Sequence, residues 1–204
     1  MCRLPVLHIA ASAGQLAVVR CLTACGAGIE ARTKAGATPM HAAAQSGALS
    51  VVKFFASAGA SVESKTADGA VPLHIASQHG HAALVRYLIE EQRSDPNVTN
   101  DGGVTPLILA CETGHTTVLL QLVEAGAYVN FADNEGITPL LAACHFGHPE
   151  AVYALLTAGA QYEPVNVNAR SVDGLQPLFS AAQRGSTEIV KLLLSAGARH
   201  DSTY

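Results

Sequence analysis

The stretch Ala37–Gly69, ATPMHAAAQSGALSVVKFFASAGASVESKTADG, recurs along the chain at intervals of 33 or 34 residues. Pro39, Pro72, Pro106 and Pro139 open successive copies. Gly47, Gly80, Gly114 and Gly147 each follow eight residues later. A period of this length restricts the chain to repeat architectures, in which one supersecondary unit is reused and touches only its neighbours.

Within one copy the local chemistry specifies helix, turn, helix and a projecting finger. Thr38 offers a capping hydroxyl, and Pro39 stands at the first helical position, where a missing N–H costs nothing. Residues 40–46 are alanine-rich, which predicts a short, thin helix that neighbours approach closely. Gly47 ends it, because a residue without Cβ turns freely through left-handed space. A second helix over about residues 49–58 carries Val51, Val52, Phe54 and Phe55 and stops at Gly59. Residues 60–69 alternate loosely and close on Asp68-Gly69, a turn dipeptide. One such pair cannot bury both of its sides, so the copies must stack to share a core.

Thr38-Pro39-Met40-His41-Ala42-Ala43, Val71-Pro72-Leu73-His74-Ile75-Ala76 and the Gly-Ala pairs after the second helices resemble the ankyrin repeat, over essentially all 204 residues. The resemblance implies an all-α fold, a solenoid of stacked helix-turn-helix units with projecting β-hairpin-like fingers. It implies a single domain over 1–204, with six repeats at about 1–36, 37–69, 70–103, 104–136, 137–174 and 175–204. Three places depart from the pattern. The first copy begins at Leu4-Pro5-Val6-Leu7-His8-Ile9-Ala10, with its proline one place early. Gln92 stands where a helix-closing glycine is expected, and Pro72 to Pro106 is 34 residues, which places a one-residue adjustment within 91–96. Five extra residues fall in the stretch 160–165, read as a tolerated surface loop away from the binding face. Both ends keep apolar helices where terminal repeats need a polar outer face. Charged residues are 14%, against the usual ~25%. The expectation is an excised segment of a longer protein.

Composition and motifs exclude several functions. The net charge of −4 argues against nucleic acid, which calls for a basic stripe. No run of ~18 apolar residues suggests membrane insertion, and no charged-then-apolar signal segment opens the chain. Five scattered cysteines suggest a reducing, intracellular setting, cytoplasmic or nuclear. Gly-rich phosphate loops, nucleophile elbows, H-E-x-x-H and C-x-x-C are all missing. The carboxylates are dispersed, so no pair is fixed for acid–base work. The chain is therefore read as non-enzymatic, with no cofactor and no metal.

His8, His41 and His74 share one register, but stacked repeats hold equivalent residues about 8–10 Å apart, whereas zinc needs nitrogens at about 2 Å. The resemblance implies that these three histidines hydrogen-bond the adjacent loop backbone. Ile108, Leu141 and Phe179 replace them later, so those loops must be satisfied otherwise. Cys111 and Cys144 occupy the small-residue register and are expected to lie too far apart for a disulfide, which wants less than ~7 Å. Cys21 and Cys25 are read as free thiols, and Cys144, His145 and His148 as a set lacking a fourth metal ligand. Asn97-Val98-Thr99 is a formal glycosylation sequon, read as unused. By resemblance, Asn97, Asn130 and Asn168 are finger asparagines of a kind that some members have hydroxylated.

The resemblance places partner contacts on the finger tips and the inner face of the first helices. The candidates are Arg32, Lys34, Ala37, Gln45 and Ser46, then Lys65, Asp68, Gln78 and His79, then Thr99, Asp101, Glu112 and Thr113. Asn134, Glu135, Ile137, His145 and Phe146 follow, and Arg170, Val172, Leu175, Gln183 and Arg184 complete the stripe. Charge along it runs basic, then acidic (Asp101, Glu112, Asp133, Glu135), then basic at Arg170 and Arg184, an order that would register a complementary partner. Phe146 is the sharpest signal, because His-Phe precedes Gly147 where the other copies have Gln-Ser, Gln-His, Glu-Thr or Gln-Arg. An aromatic in a polar slot is a hot-spot candidate, and Ile137 and Leu175 could complete a small apolar patch. The resulting reading is a rigid, monomeric adaptor, scaffold or targeting module that binds another protein or peptide segment. The alternative is the ankyrin segment of a larger enzyme, ubiquitin-ligase receptor or channel.

Overall fold

Short helices alternate with tight turns through residues 6–159 and 163–200, which the computed structural model describes. The chain divides into two compact units, Met1–Asp95 and Pro96–Tyr204. The first unit holds α1 (Val6–Ser12), α2 (Leu16–Ala24), α3 (Pro39–Gln45), α4 (Leu49–Ser57), α5 (Pro72–Gln78) and α6 (Ala82–Arg86), the last continued by a π turn over Tyr87–Glu91. The second holds α7 (Pro106–Glu112), α8 (Thr116–Glu124), α9 (Pro139–Phe146), α10 (Pro149–Gly159), α11 (Pro177–Gln183) and α12 (Thr187–Ser195). Among the described residues there is no strand.

The helices start where the prolines put them, and two kinds of cap hold the starts. In the first unit the Thr38 N–H donates to Nδ1 of His41 at 3.1 Å, and the Val71 N–H donates to Nδ1 of His74 at 3.2 Å. Histidine thus takes the part that Glu or Gln plays in a capping box. The opposite ring nitrogen reaches the next loop: Nε2 of His8 donates to the Ala37 carbonyl at 3.0 Å, and Nε2 of His41 to that of Ala70 at 3.3 Å. In the second unit Ile108 and Leu141 replace histidine, and Thr105 and Thr138 cap instead. Their hydroxyls accept from the Ile108 and Leu141 N–H groups at 3.3 and 3.2 Å.

First helices pack side by side within each unit, α1 on α3 on α5 and α7 on α9 on α11. Fully buried alanines and cysteines at Ala11, Ala43, Ala44, Ala76, Ala110, Cys111, Ala143 and Cys144 let their backbones approach. The larger core side chains include Met40, Phe55, Leu73 and Leu88 in the first unit and Leu107, Leu119, Leu140 and Leu155 in the second.

One expectation needs correction. The extra residue before Pro106 is absorbed in the π turn Tyr87–Glu91, which meets the expected span 91–96 only at Glu91 and whose widened i→i+5 pattern takes up one residue inside the helix. The position that Gly26, Gly59 and Gly126 fill at φ near 90° is consequently held by Arg93 at φ 60°, and not by Gln92. The fingers are hairpin-like turns without strand, each closed by one backbone bond, as from Thr33 N to Ala37 O and from Thr66 N to Ala70 O at 2.9 Å, and by one side chain. Thr33 and Thr66 accept from the Ala37 and Ala70 N–H groups at 3.1 and 3.0 Å. Asn100, Asp133 and Ser171 do the same for Val104, Ile137 and Leu175 at 2.9, 2.8 and 3.0 Å. Within each unit neighbouring fingers share one backbone bond, as from Ala67 N to Ala35 O at 2.9 Å in the first and from Val172 N to Glu135 O at 2.8 Å in the second. One bond per finger makes a tie, not a ladder.

Of the loop expected over 160–165, residues 160–162 lie outside the described residues, as do Leu4 and Pro5 of the first copy. The described end of that loop is held, since Nδ2 of Asn130 donates to the Pro164 carbonyl at 2.9 Å.

Candidate functional site

Many polar side chains on the flanks are spent on holding neighbouring units of pattern together. Asn97 accepts from Tyr128 N at 2.8 Å and donates to Gly126 O at 3.0 Å, so both ends of its amide are engaged. Asn130 accepts from Asn166 N at 2.7 Å, and Asn168 from Arg199 N at 2.9 Å. Glu30 and Glu63 fill the same register in the first unit. Glu30 accepts from Ser61 N at 2.6 Å, and Glu63 accepts from the Ser94 hydroxyl at 2.7 Å.

In the first unit the candidates Arg32, Lys34, Gln45, Lys65, Asp68, Gln78 and His79 are all exposed. Three of them serve the fold. Arg32 donates to the Gly36 and Lys65 carbonyls at 3.0 and 2.6 Å, joining two fingers. Asp68 accepts from the Thr66 hydroxyl, which lowers its carboxyl pKa. His79 donates to the Ile75 carbonyl at 3.0 Å and stacks on His81 with ring centroids 6.1 Å apart. The side chains of Lys34, Gln45, Lys65 and Gln78 make no hydrogen bond or ion pair among the described residues.

In the second unit the structure gathers six candidates into one groove of about 690 Å³: Glu112, Glu135, Ile137, His145, Phe146 and Leu175. The apolar patch expected at Phe146, Ile137 and Leu175 is assembled there, on the finger side of α7, α9 and α11. Thr99, Asp101, Thr113, Asn134, Arg170, Val172, Gln183 and Arg184 lie outside it. Asn134 is occupied with the Asp101 carbonyl at 3.1 Å. Arg184, expected to contact a partner, donates to the His145 carbonyl at 2.7 Å.

Phe179 and Asp173 also line the groove, and sequence reasoning missed both. Phe179 shares the register of His41, Ile108 and Leu141, which are buried, yet it is 47% exposed. The available signal was Gln176, which stands where Thr38, Thr105 and Thr138 stand and makes no side-chain cap.

The groove is acidic over an apolar floor. Glu112, Asp133, Glu135 and Asp173 line it, and no lysine or arginine does. Burial raises the Glu112 pKa, and the Asp133 carboxylate raises it further, with His145 opposing. The His145 and Phe146 rings meet edge to face at 5.1 Å, and Nδ1 of His145 lies 3.3 Å from the Ser180 hydroxyl.

Cys111 and Cys144 are buried free thiols, and burial pushes the Cys144 thiol up to about 12 and that of Cys111 well above its ordinary value. His148, which the sequence sets near Cys144, instead donates to the Glu112 carbonyl at 3.0 Å. Among the described residues no three His, Cys, Asp or Glu side chains converge as a metal would require, and no helix is long and apolar enough to cross a membrane.

Paired short helices closed by left-handed glycines, tied flank to flank through capping side chains, define a helical repeat protein that presents side-chain surfaces. The family model described as ankyrin repeats (3 copies) matches residues 2–66, 59–133 and 107–204, and the chain belongs to the ankyrin repeat family. It is similar to the human ASB11 ankyrin repeat domain, with 27% identity and a TM-score of 0.87 over 98% of this chain and 86% of that one. It is also similar to an ankyrin repeat domain from Acinetobacter baumannii AYE, with 33% identity and a TM-score of 0.78 over 95% of this chain and 98% of that one. No curated protein sequence matches the chain. Ankyrin repeat domains are generally protein-interaction modules.

Proposed function

We propose that the chain is a non-catalytic module that binds another protein, and that the finger-side groove of its second unit receives an apolar or aromatic residue flanked by positive charge. The observation that carries this reading is the pair Phe146 and Phe179, 40% and 47% exposed, beside Ile137 and Leu175 in a groove with four carboxylates. Rings left half in water on a rigid frame gain from burial without first having to be ordered. The carboxylates select against acidic partners and steer basic ones. The module works as a monomer and as an adaptor or targeting domain. Free thiols at Cys21 and Cys25 support a reducing, intracellular setting.

Panning a random peptide display library against the full chain tests the reading. Recovered peptides should carry Lys or Arg beside an aromatic or aliphatic residue. They should lose about 30-fold in affinity against a Phe146→Ala/Phe179→Ala variant, as truncating a hot spot costs roughly 2 kcal/mol. Peptides that bind wild type and variant equally well would refute the assignment.

A further inference from the structure

The second helices of the same unit carry a separate groove of about 530 Å³, which shares no lining residue with the finger-side groove. It runs along α8 and α10 and reaches α12, and α10 packs against both of the others. Its floor is apolar and buried, made by Val123, Ala154 and Ala158, while Leu120 and Tyr153 stand at the rim, 40% and 61% exposed. On α10 the lining positions are 149, 150, 153, 154, 157 and 158, and on α8 they are 116, 120, 123 and 124. That spacing is one continuous face of each helix, about 15 Å long on α10 at 1.5 Å per residue. Two adjacent helical faces with small residues between larger ones form the channel into which the side-chain ridge of a third helix fits.

Charge narrows the occupant. Glu124, Glu150 and Glu188 line the groove, and no lysine, arginine or histidine does. None of the three has a side-chain hydrogen bond or ion pair among the described residues. An extended peptide finds no sheet edge here, because the walls are helices whose backbone groups are already paired, so affinity must come from side chains. A second copy of this chain, itself at net charge −4, would bring acid to acid. We propose that this groove docks an amphipathic helix of a partner protein, apolar on the face it buries and bearing Lys or Arg at its edges, over about two and a half turns.

The test uses the full chain and three synthetic peptides: a helical Leu/Lys peptide with apolar residues at a 3.6-residue period, the same peptide with Glu for Lys, and a scrambled Leu/Lys sequence. Calorimetry should show binding of the first peptide alone, and amide shifts should change along α8, α10 and α12. Leu120→Ala/Tyr153→Ala should weaken binding about tenfold or more. Glu124→Gln/Glu150→Gln/Glu188→Gln, which leaves the apolar floor untouched, should weaken it and flatten its salt dependence. Phe146→Ala should change nothing, which separates this surface from the finger-side groove. The proposal falls if the patterned peptide fails to bind at millimolar concentration. It falls equally if the scrambled peptide binds as well, if the shifts map to the Phe146 side, or if either rim variant leaves affinity unchanged. A dimer of the chain that Tyr153→Ala dissolves would hand the groove to a second copy and overturn the assignment.

Discussion

Arg184 donates to the carbonyl of His145 at 2.7 Å, and its side chain lies across Gly147 so closely that a Cβ there would meet Nε at 2.3 Å. The same place over Gly47 and Gly114 is taken by His81 and His148, which donate to the Gln45 and Glu112 carbonyls at 3.0 Å. A cation or imidazole N–H from the following helix pair thus satisfies a carbonyl at the end of each of these first helices, where the helix itself supplies no donor. Gly147 adopts φ 80°, as Gly126 adopts φ 90°, but a Cβ at Gly126 would meet nothing within 4 Å.

Gly147→Ala should therefore cost more than Gly126→Ala. The left-handed backbone costs roughly 1–2 kcal/mol in both. Displacing Arg184 adds the loss of one hydrogen bond, about 1 kcal/mol. Urea unfolding should show the difference, and adding Arg184→Ala to both variants should erase it. Equal destabilisation from the outset would mean that the guanidinium moves aside freely.

A second expectation concerns pH. Burial lowers the pKa of His41, whose Nδ1 accepts from Thr38 N and whose Nε2 donates to Ala70, an arrangement that requires the neutral ring. The unfolded chain then takes up a proton on this residue at a higher pH than the folded one. Its contribution is complete above the ordinary imidazole value near 6.5, shrinks as pH falls below it, and stops changing below the lowered folded pKa. Chemical unfolding between pH 7.5 and 5 should show a decline that His41→Gln reduces. A slope identical in the two proteins would remove His41 as its source.

Much of this architecture was legible because the residues that set it act locally. Pro39, Pro72, Pro106 and Pro139 each begin a helix, and Gly47 and Gly59 each follow one at positive φ. Phe146 stood out because it broke a polar pattern, and Ile137 and Leu175 join it in one groove. Phe179 was passed over because its register is buried in every earlier copy, and only the three-dimensional frame of α11 leaves it half exposed. Arg32, Asn134 and Arg184 look like free finger or turn residues in the sequence. Their heads close on backbone carbonyls 33 to 39 positions away, which no local rule reveals. The one-residue adjustment was placed too late for a similar reason: an excess can be absorbed anywhere between two fixed points, and the sequence marks only the points.

Glu112 supplies a test of the finger-side groove that is independent of truncating rings. Its raised pKa comes first from burial and then from the Asp133 carboxylate. A cationic side chain bound nearby would favour the ionised form, so binding should release a proton from the fraction of Glu112 still protonated. Affinity for a Lys- or Arg-bearing peptide recovered on this groove should therefore rise as pH increases through the Glu112 pKa and level off above it. Glu112→Gln should weaken binding at neutral pH and flatten that part of the profile. An unaltered pH profile in Glu112→Gln would place the bound cation elsewhere.

Arg93 is the one non-glycine residue at positive φ among those described, at 60° in a slot that Gly26, Gly59 and Gly126 otherwise fill. It follows the π turn Tyr87–Glu91, so the helix that accommodates an extra residue is also the one that ends without a glycine. The left-handed conformation costs an L-residue roughly 1–2 kcal/mol. Glycine would remove that cost but widen the unfolded ensemble, returning about 0.4–1 kcal/mol. Arg93→Gly should therefore stabilise the chain by about 0.5–1 kcal/mol, the balance of these two terms. Arg93→Ala, which keeps Cβ, should bring no such gain, and Arg93→Asn should fall between, because asparagine tolerates the left-handed region better than most residues. Urea midpoints for the three variants check the order. If Gly and Ala shift the midpoint alike, the arginine side chain, and not its backbone, is what that position responds to.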